Sequence, residues 1–398
     1  VGVRDRSNHT VQGALSCLVL AVLAACGDGD GDAVAGGTGT SETTLSESAT
    51  GGTTGEDAFA AVLDRLVAPH LDPSGTTGAI GLVAAVVGPG VRVVAGYGAT
   101  RLGGPAPGPD TIFEVGSLTK VFSGLLLARA IDRGTVALAD PIDPAFPLGA
   151  PQFAGQSITL QDLATHSSGL PRMPNNTHSA DPHNPGAGYS EQDLAEFMAS
   201  WTLKAAPGTT LMYSNLGAGA LGYILVEDAG EASYEALVRR DLAEPLGMVD
   251  TRIAIPAADQ ARVARGYWQG IAVPANEIGE PLAGGGALRS SGADMLRLVE
   301  AALGVGDPAV VAAWSRAIEA QRPSPQGEEG QLGLLVARET VDGRYLYFKD
   351  GQTAGFSSYL LFSTSPPAAV VLLANAGDLA ESDALKVLAR EVLDALAL

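Results

Sequence analysis

The chain predicts an α/β protein of the α+β kind: one antiparallel sheet flanked by helices, with an all-helical lobe inserted in it. Three observations carry that expectation. Strand-like apolar runs occur near both ends, at 79–87 and 91–99 and again between 332 and 374. Between them the apolar periodicity is mostly that of helices, and amphipathic helical patterns close both outer ends. A sheet made from both termini, covered by terminal helices, is the economical packing of such a pattern.

In order, Arg4 and Arg6 precede an apolar run over 14–25 that ends as Leu23-Ala24-Ala25-Cys26. A basic start, a short apolar stretch and small residues at its exit read as an export signal over 1–26. The run is shorter than the roughly 20 apolar residues that a spanning helix needs. Leu-Ala-Ala-Cys resembles the bacterial lipoprotein signal, which makes Cys26 the expected lipidation site. An ordinary cleaved signal with an incidental cysteine is the alternative. Cys17 lies inside the same run, so the body has no cysteine left for a disulfide or a metal site. From 27 to 55 the chain is Gly, Ser, Thr, Asp and Glu with little that is apolar, which reads as a flexible tether to a body over 56–398.

Glu56 opens an amphipathic helix carrying Phe59, Val62, Leu63, Leu66 and Val67, which ends near Pro69. The two runs at 79–87 and 91–99 are joined by Gly88-Pro89-Gly90 and predict a hairpin. A Pro- and Gly-rich loop over 103–109 follows. A helix with Phe122, Leu125, Leu126, Ala130 and Ile131 then runs from Ser117 to a C-cap at Gly134. Residues 160–163 lead into the turn-rich loop Thr165-His166-Ser167-Ser168-Gly169-Leu170-Pro171, and 175–188 reads as a long surface loop. Helices are expected over 191–201, 217–229, 233–242 and 293–303, with a Gly-rich turn at 283–286. Strands return at 332–340, 344–349, 357–363 and 368–374, and a last amphipathic helix carries Leu388, Val392 and Leu396. The helical lobe on this reading covers about 117–330.

The body is large enough for an ample core: of 398 residues 46% are hydrophobic and 17% charged. A formal charge of −20 argues against a nucleic-acid backbone or an anionic membrane surface as partner, leaving membrane contact to a lipid anchor alone. Lysine is scarce, only Lys120, Lys204, Lys349 and Lys386, which makes the place of each informative.

Ser117 and Lys120 are three apart at the start of a helix, so their side chains share a face. A serine hydroxyl needs a base, and a lysine taken out of water can be that base because burial disfavours its charge. The helix N-terminus favours negative charge near Oγ. If Ser117 were only an N-cap, Lys120 would be a first-turn cation opposing the dipole. Tyr213-Ser214-Asn215 offers a phenol that relays protons and an amide that can hold a substrate amide, although Tyr-x-Asn alone also reads as a turn. Lys349-Asp350-Gly351-Gln352 places a cation at the end of an expected strand and a glycine that admits close backbone approach; alone, Lys349 is a strand-end charge.

These three motifs, in this order and at these separations, resemble the penicillin-recognising serine hydrolases. That family takes in class C β-lactamases, D-alanyl-D-alanine carboxypeptidases and endopeptidases, and related esterases and D-aminopeptidases. The resemblance extends from about Phe59 to Ala376 through Phe113-Glu114-Val115-Gly116-Ser117, the 165–171 loop, Pro207-Gly208, Ala283-Gly284-Gly285 through Asp294 and Gly355-Phe356-Ser357-Ser358-Tyr359. It implies a β-lactamase/transpeptidase-like fold and an acyl-enzyme mechanism without cofactor or metal. Ser117 would be the nucleophile, Lys120 its base, Tyr213 the proton relay and Asn215 the holder of the substrate amide. Lys349 would supply positive charge to the substrate, and the backbone N–H groups of Ser117 and Gln352 the oxyanion hole. Its substrates would be small molecules or peptides: a D-Ala peptide, a β-lactam or an ester, with peptidoglycan peptides the expectation here.

Asp350 departs from the family, whose β-lactamases often carry threonine or serine there to help hold a substrate carboxylate. A second carboxylate at about 4 Å costs roughly 1 to 4 kcal/mol, so Asp350 counts against an efficient β-lactamase unless strand alternation turns it away. A Ser-His-Asp hydrolase finds little support, with no Gly-x-Ser-x-Gly elbow and only His166, His178 and His183 after Ser117. His166 reads as structural, and a metal site at His178 and His183 lacks further ligand motifs. A penicillin-binding-like sensor without turnover is the non-enzymatic alternative.

Overall fold

The structure, a computed structural model, describes residues 54–323 and 331–396. The expected signal over 1–26, Cys26 and nearly all of the tether lie outside them.

Helix α1 (Thr54–Val67) starts two residues inside the expected tether and buries Phe59, Leu63 and Val67. Strands β1 (Gly81–Gly88) and β2 (Val91–Gly98) pair antiparallel as the expected hairpin, with Gly90 at φ +71° in its turn. Strand β3 (Ile112–Glu114) then delivers the chain to a 3-10 turn, Gly116–Leu118, which runs directly into α2 (Thr119–Arg133). Gly134, left-handed at φ 74°, caps α2 as expected. Most of α2 is buried, from Thr119 through Ala128, because it is the central helix and is covered on every side.

Around α2 are a small hairpin of β4 (Gln152–Phe153) and β5 (Gln156–Ser157), α3 (Leu160–Ala164), α4 (Glu191–Ser200) and α5 (Asn215–Ala229). Next come α6 (Tyr234–Val238), a π-turn over Arg239–Ala243 and α7 (Glu244–Leu246). A second small hairpin, β6 (Tyr267–Trp268) and β7 (Ile271–Ala272), precedes β8 (Arg289–Ser291), α8 (Gly292–Ala302) and α9 (Pro308–Ala317). The inserted lobe is therefore mostly rather than wholly helical, a correction to the expectation. Strand β3 pairs with β8 over Ile112↔Ser291, a contact between distant segments that each offer too short a run to register as a strand. Helix α9 was also missed, although Asp307-Pro308 is a start signal: the Asp307 carboxylate accepts from the N–H groups of Ala309 and Val310.

The last strands are β9 (Arg322–Pro323), β10 (Gln331–Leu332), β11 (Ala337–Val341), β12 (Arg344–Gln352), β13 (Ser357–Thr364) and β14 (Pro367–Ala374), followed by α10 (Ala384–Leu396). The main sheet has the order β2-β1-β14-β13-β12-β11-β10-β9, every neighbouring pair antiparallel. Residues 332–340 are not one strand as expected. Leu335 sits at φ 60°, and the N–H groups of Leu334 and Leu335 leave the ladder for the carbonyls of Ala317 and Ala164. The apolar run there reflects burial against helices rather than strand alternation.

Alternation in β1 explains the layers. Val83 and Ala85 face the core shared with α2 and the lobe, whereas Leu82, Ala84 and Val86 face α1 and α10. Because both faces are covered, the strand reads as a continuous apolar run. The site lies where the inner face of β12 meets the start of α2 and the start of α5.

Candidate active site

Two glycines bring the turn before α2 against the edge of β12. Gly116 is left-handed at φ +51°, and a Cβ there would lie 2.7 Å from the backbone N of Gln352. A Cβ on Gly351 would lie 2.3 Å from the carbonyl oxygen of Val115. The Ser117 turn and the strand thus touch backbone to backbone, which only glycine permits. Strand β11 pairs with β12 only as far as Phe348, so among the described strands the 349–352 edge is unpaired on that side. The Thr353 N–H donates to the Phe356 carbonyl at 2.9 Å. Ladder alternation then turns the N–H groups of Asp350 and Gln352 to the open edge. Lys349 does not end a strand, as expected from sequence: β12 continues to Gln352.

Ser117 is half-buried, and its Oγ accepts from Lys120 Nζ at 3.0 Å and from the Tyr213 hydroxyl at 2.7 Å. Lys120 is fully buried at 0% exposure, and Nζ also donates to Asn215 Oδ1 at 2.8 Å and to the Gly285 carbonyl. Burial pushes its pKa down, and the nearby Lys349 charge acts the same way against the pull of Tyr213. All three donor directions of the ammonium have acceptors, which fixes Nζ against Oγ.

Tyr213 and Asn215 converge on this pair because Ser214, the residue between them, is the N-cap of α5. Its Oγ accepts from the Gly217 N–H at 2.8 Å, so Tyr213 stands just outside the helix and Asn215 at its first turn. Lys120 Nζ lies 4.9 Å and Lys349 Nζ 5.3 Å from the centre of the Tyr213 ring, and the Arg172 guanidinium 5.3 Å. Burial raises the phenol's pKa, but Lys120 and Lys349 outweigh it and bring it down to about 8.

Lys349 is buried and lies on the same face of β12 as the inner-core residue Tyr347. Burial opposes its charge, but Asp350 and Tyr213 more than compensate and raise its pKa. Alternation puts the Asp350 side chain on the opposite face, yet its Oδ1 accepts from Lys349 Nζ at 2.9 Å. The Lys349 charge holds the Asp350 carboxyl well below the ordinary carboxylate range, and the side chain remains 65% exposed.

A cleft of about 250 Å³ opens beside Ser117, walled by Met173, Pro185, Ile278 and Leu282 with Asn215 and Gln352 at its polar end. The 175–188 segment is not simply a surface loop. Asn184 is buried, donates to the Ala275 carbonyl and accepts from the Glu277 N–H, holding Pro185 and Gly186 in the cleft wall.

Sequence reasoning gave no role to Glu114. Buried at the end of β3, its carboxylate accepts from the Asn276 N–H and the Thr353 hydroxyl, both at 2.7 Å, with Arg289 3.6 Å away. It ties β3, β12 and the cleft wall together; an acid among apolar neighbours just before Ser117 was the signal. The Gly285 carbonyl was also missed, since backbone acceptors leave no trace in residue type. His166 is not a partner of Ser117: its Nδ1 accepts from the Ser214 N–H, which removes the Ser-His-Asp arrangement. His178 pairs with Asp193 at 2.9 Å, and among the described residues no three His, Cys, Asp or Glu side chains group as metal ligands.

The sequence profile of the family described as Beta-lactamase matches residues 60–394. The D-alanyl-D-alanine-carboxypeptidase/endopeptidase AmpH of Escherichia coli K12 is 34% identical over 228 residues, 56% of this chain and 57% of that protein. The chain thus aligns with somewhat over half the length of that relative. A beta-lactamase of the same organism is 29% identical over 301 residues, covering 67% of this chain and 76% of that one. Among solved structures, a D-alanine carboxypeptidase AmpC from Burkholderia cenocepacia superposes with a TM-score of 0.71 at 24% identity, over 85% of this chain and 99% of that one. A class C beta lactamase from Rhodobacter sphaeroides gives 0.68 at 25%, over the same shares. The match over nearly the whole described body shows that this chain belongs to the Beta-lactamase family, and in it one serine oxygen is held by a buried lysine and a tyrosine.

Proposed function

We propose that Ser117 forms an acyl-enzyme and that the substrates are D-Ala-containing peptidoglycan peptides, as for a carboxypeptidase/endopeptidase. The observation that carries the mechanism is the pair of contacts on one oxygen: Ser117 Oγ within hydrogen-bond reach of both Lys120 Nζ and the Tyr213 hydroxyl. The Ser117 proton passes to the Lys120–Tyr213 pair as Oγ bonds to the substrate carbonyl carbon. The carbonyl oxygen, now negative, sits between the N–H groups of Ser117 and Gln352; loss of one such donor costs about 3–4 kcal/mol in comparable sites. Collapse breaks the C–N bond, and Tyr213 returns the proton to the leaving amine. A water then gives a proton to the same pair as it attacks the acyl carbon, and the pair returns that proton to Ser117 Oγ as the acyl C–O bond breaks. Asn215, with Oδ1 committed to Lys120, presents its amide N–H to the acyl group.

The carboxypeptidase/endopeptidase assignment rests on the 34% identity to AmpH. The Lys349–Asp350 ion pair favours a second reading, an esterase of the same family for uncharged substrates, because it engages the cation a substrate carboxylate would need. Hydrolysis of a D-Ala-D-Ala peptide, a cephalosporin and a short-chain ester by the purified body separates the two. Activity on the ester alone rejects the peptidoglycan assignment. A protein that binds a penicillin at Ser117 and never releases it is the sensor.

Export and anchoring through Cys26 belong to the same proposal and rest on the Leu-Ala-Ala-Cys sequence. No described helix is long and apolar enough to cross a membrane. Expression of the full chain with Cys26→Ser tests the anchor: the protein should move from the membrane fraction to the soluble one, and unchanged partition rejects it.

A further inference from the structure

His166 is a buried ionisable group beside the site that is not among the residues lining the cleft and is bonded to the Ser214 and Met212 backbone rather than to Ser117. Its backbone is left-handed at φ 54°, uncommon for a residue with a Cβ. In that conformation His166 holds both sides of one residue. Its carbonyl oxygen accepts from the Met212 N–H at 2.7 Å, and its Nδ1 accepts from the Ser214 N–H at 3.2 Å. Between those anchors its ring packs on the Tyr213 ring, centroids 4.6 Å apart at 41°. The residue therefore fixes the Tyr213 backbone before and after the side chain, and the ring from one side.

We propose that His166 is the positioning residue for Tyr213, working as a neutral imidazole whose Nδ1 must remain an acceptor. This rests on the reading of Tyr213 as proton relay.

An imidazolium would carry a proton on Nδ1 and face the Ser214 N–H donor to donor. It would also add a cation opposite Lys120 of α2 and Lys349 of β12, with Asp350 the opposing charge among the described residues. Burial and those two lysines keep the imidazole neutral well below its ordinary range. Tyr213, in turn, owes its low pKa to its place between Lys120 and Lys349. A ring released from His166 leaves both the lysines and Ser117 Oγ, and misplacement of a reacting group by about 1 Å costs on the order of 10²-fold in rate.

Two variants and two readouts test this. His166→Phe keeps an aromatic ring but removes the acceptor. His166→Asn places an amide oxygen near Nδ1 and suits a left-handed backbone. The probe reaction is hydrolysis of a chromogenic cephalosporin or a p-nitrophenyl ester, whichever the wild type turns over. In His166→Phe, kcat should fall roughly 10- to 100-fold with KM changed less than about threefold; in His166→Asn, kcat should return to within about threefold of wild type. Independently of any substrate, the ultraviolet tyrosinate titration, taken as a difference against Tyr213→Phe, should show the step near pH 8 in wild type and His166→Asn. In His166→Phe it should move upward. A full-strength step near pH 8 in His166→Phe overturns the proposal whatever the rates do. If His166→Phe does not fold, His166→Asn decides alone: a displaced titration step or a kcat reduced more than about tenfold overturns it. Tyr213→Phe separates the two claims. If it keeps wild-type rates the relay reading fails; if it is inactive while His166→Phe matches wild type, only the positioning role fails.

Discussion

Lys349 and Asp350 are sequence neighbours on a strand, where side chains point to opposite faces, yet Lys349 Nζ lies 2.9 Å from Asp350 Oδ1. The contact lies where, among the described strands, the edge of β12 beyond Phe348 is unpaired. If Lys349 serves a substrate carboxylate as proposed, that cation already has a partner, and the partner, 65% exposed, can meet the incoming group itself.

Replacing Asp350 by threonine should therefore free Lys349. We expect kcat/KM for a substrate with a terminal carboxylate, a D-Ala-D-Ala peptide or a cephalosporin, to rise about tenfold. That corresponds to about 1.4 kcal/mol, at the low end of like-charge repulsion at this separation. The rate on an uncharged ester should stay within about threefold. Equal changes on both substrates would show that Asp350 acts on something other than carboxylate recognition.

On the proposed mechanism the acid limb of the rate should belong to the Lys120–Tyr213 pair, which would have to lose a proton before accepting one from Ser117. The low phenol pKa of about 8 sets its position. Activity should be present above that pH and fall tenfold per unit as pH drops below it, a property of the pair rather than of either residue. Lys349, its pKa raised above the ordinary 10.5, should add no alkaline limb below about pH 10. A stopped-flow profile of acylation from pH 5 to 10 checks both statements; a flat profile contradicts the first, and a fall in rate between about pH 8 and 10 contradicts the second.

If the N–H groups of Ser117 and Gln352 form the oxyanion hole as proposed, Gly351→Ala should damage it without touching a titratable group. A Cβ there falls 2.2 Å from Ser358 Oγ and 2.3 Å from the Val115 carbonyl, so β12 must move away from the Ser117 turn. We expect kcat to drop by 10²- to 10³-fold, the scale of a lost oxyanion donor, with the pH profile of any residual activity unchanged. Near-normal kcat would mean that the Gln352 N–H is not used.

Arg322 should matter for stability. It donates to Asp162 Oδ1 at 2.8 Å, to the Gly208 carbonyl at 2.9 Å and to Thr165 Oγ1 at 3.2 Å. Asp162, 4% exposed, also accepts from the Thr159 N–H as N3 of the capping box of α3. Arg322→Ala leaves that carboxylate buried without its cation, at a cost of about 3–5 kcal/mol. Urea denaturation should show the loss, and a change under 1 kcal/mol would show that water replaces the guanidinium.

Much of this was legible in the sequence, for reasons that can be named. The hairpin of β1 and β2, the helix ending at Gly134 and the terminal helix announce themselves through local periodicity and turn chemistry. Ser117, Lys120, Tyr213 and Asn215 are brought together by the structure. What was not legible depends on distant contacts. The β3–β8 pairing joins residues more than 170 positions apart. The break at Leu335 arises because its N–H finds Ala164 rather than a ladder partner. Strand alternation allows Asp350 to turn away from Lys349, but the sequence has no way to say that the edge beside them is unpaired among the described strands or that the two side chains meet there. His166 looked structural because its work is done by its carbonyl and Nδ1 on two backbone N–H groups, and residue type does not reveal such bonds.

The most direct test of the account is to trap the acyl-enzyme. The purified body is mixed with a fluorescent penicillin, quenched in acid, digested and examined by mass spectrometry. The expected result is one adduct on Ser117, absent in Ser117→Ala and longer-lived in Tyr213→Phe. An enzyme that turns over substrate with no adduct on Ser117, or a Ser117→Ala variant of undiminished activity, would contradict it.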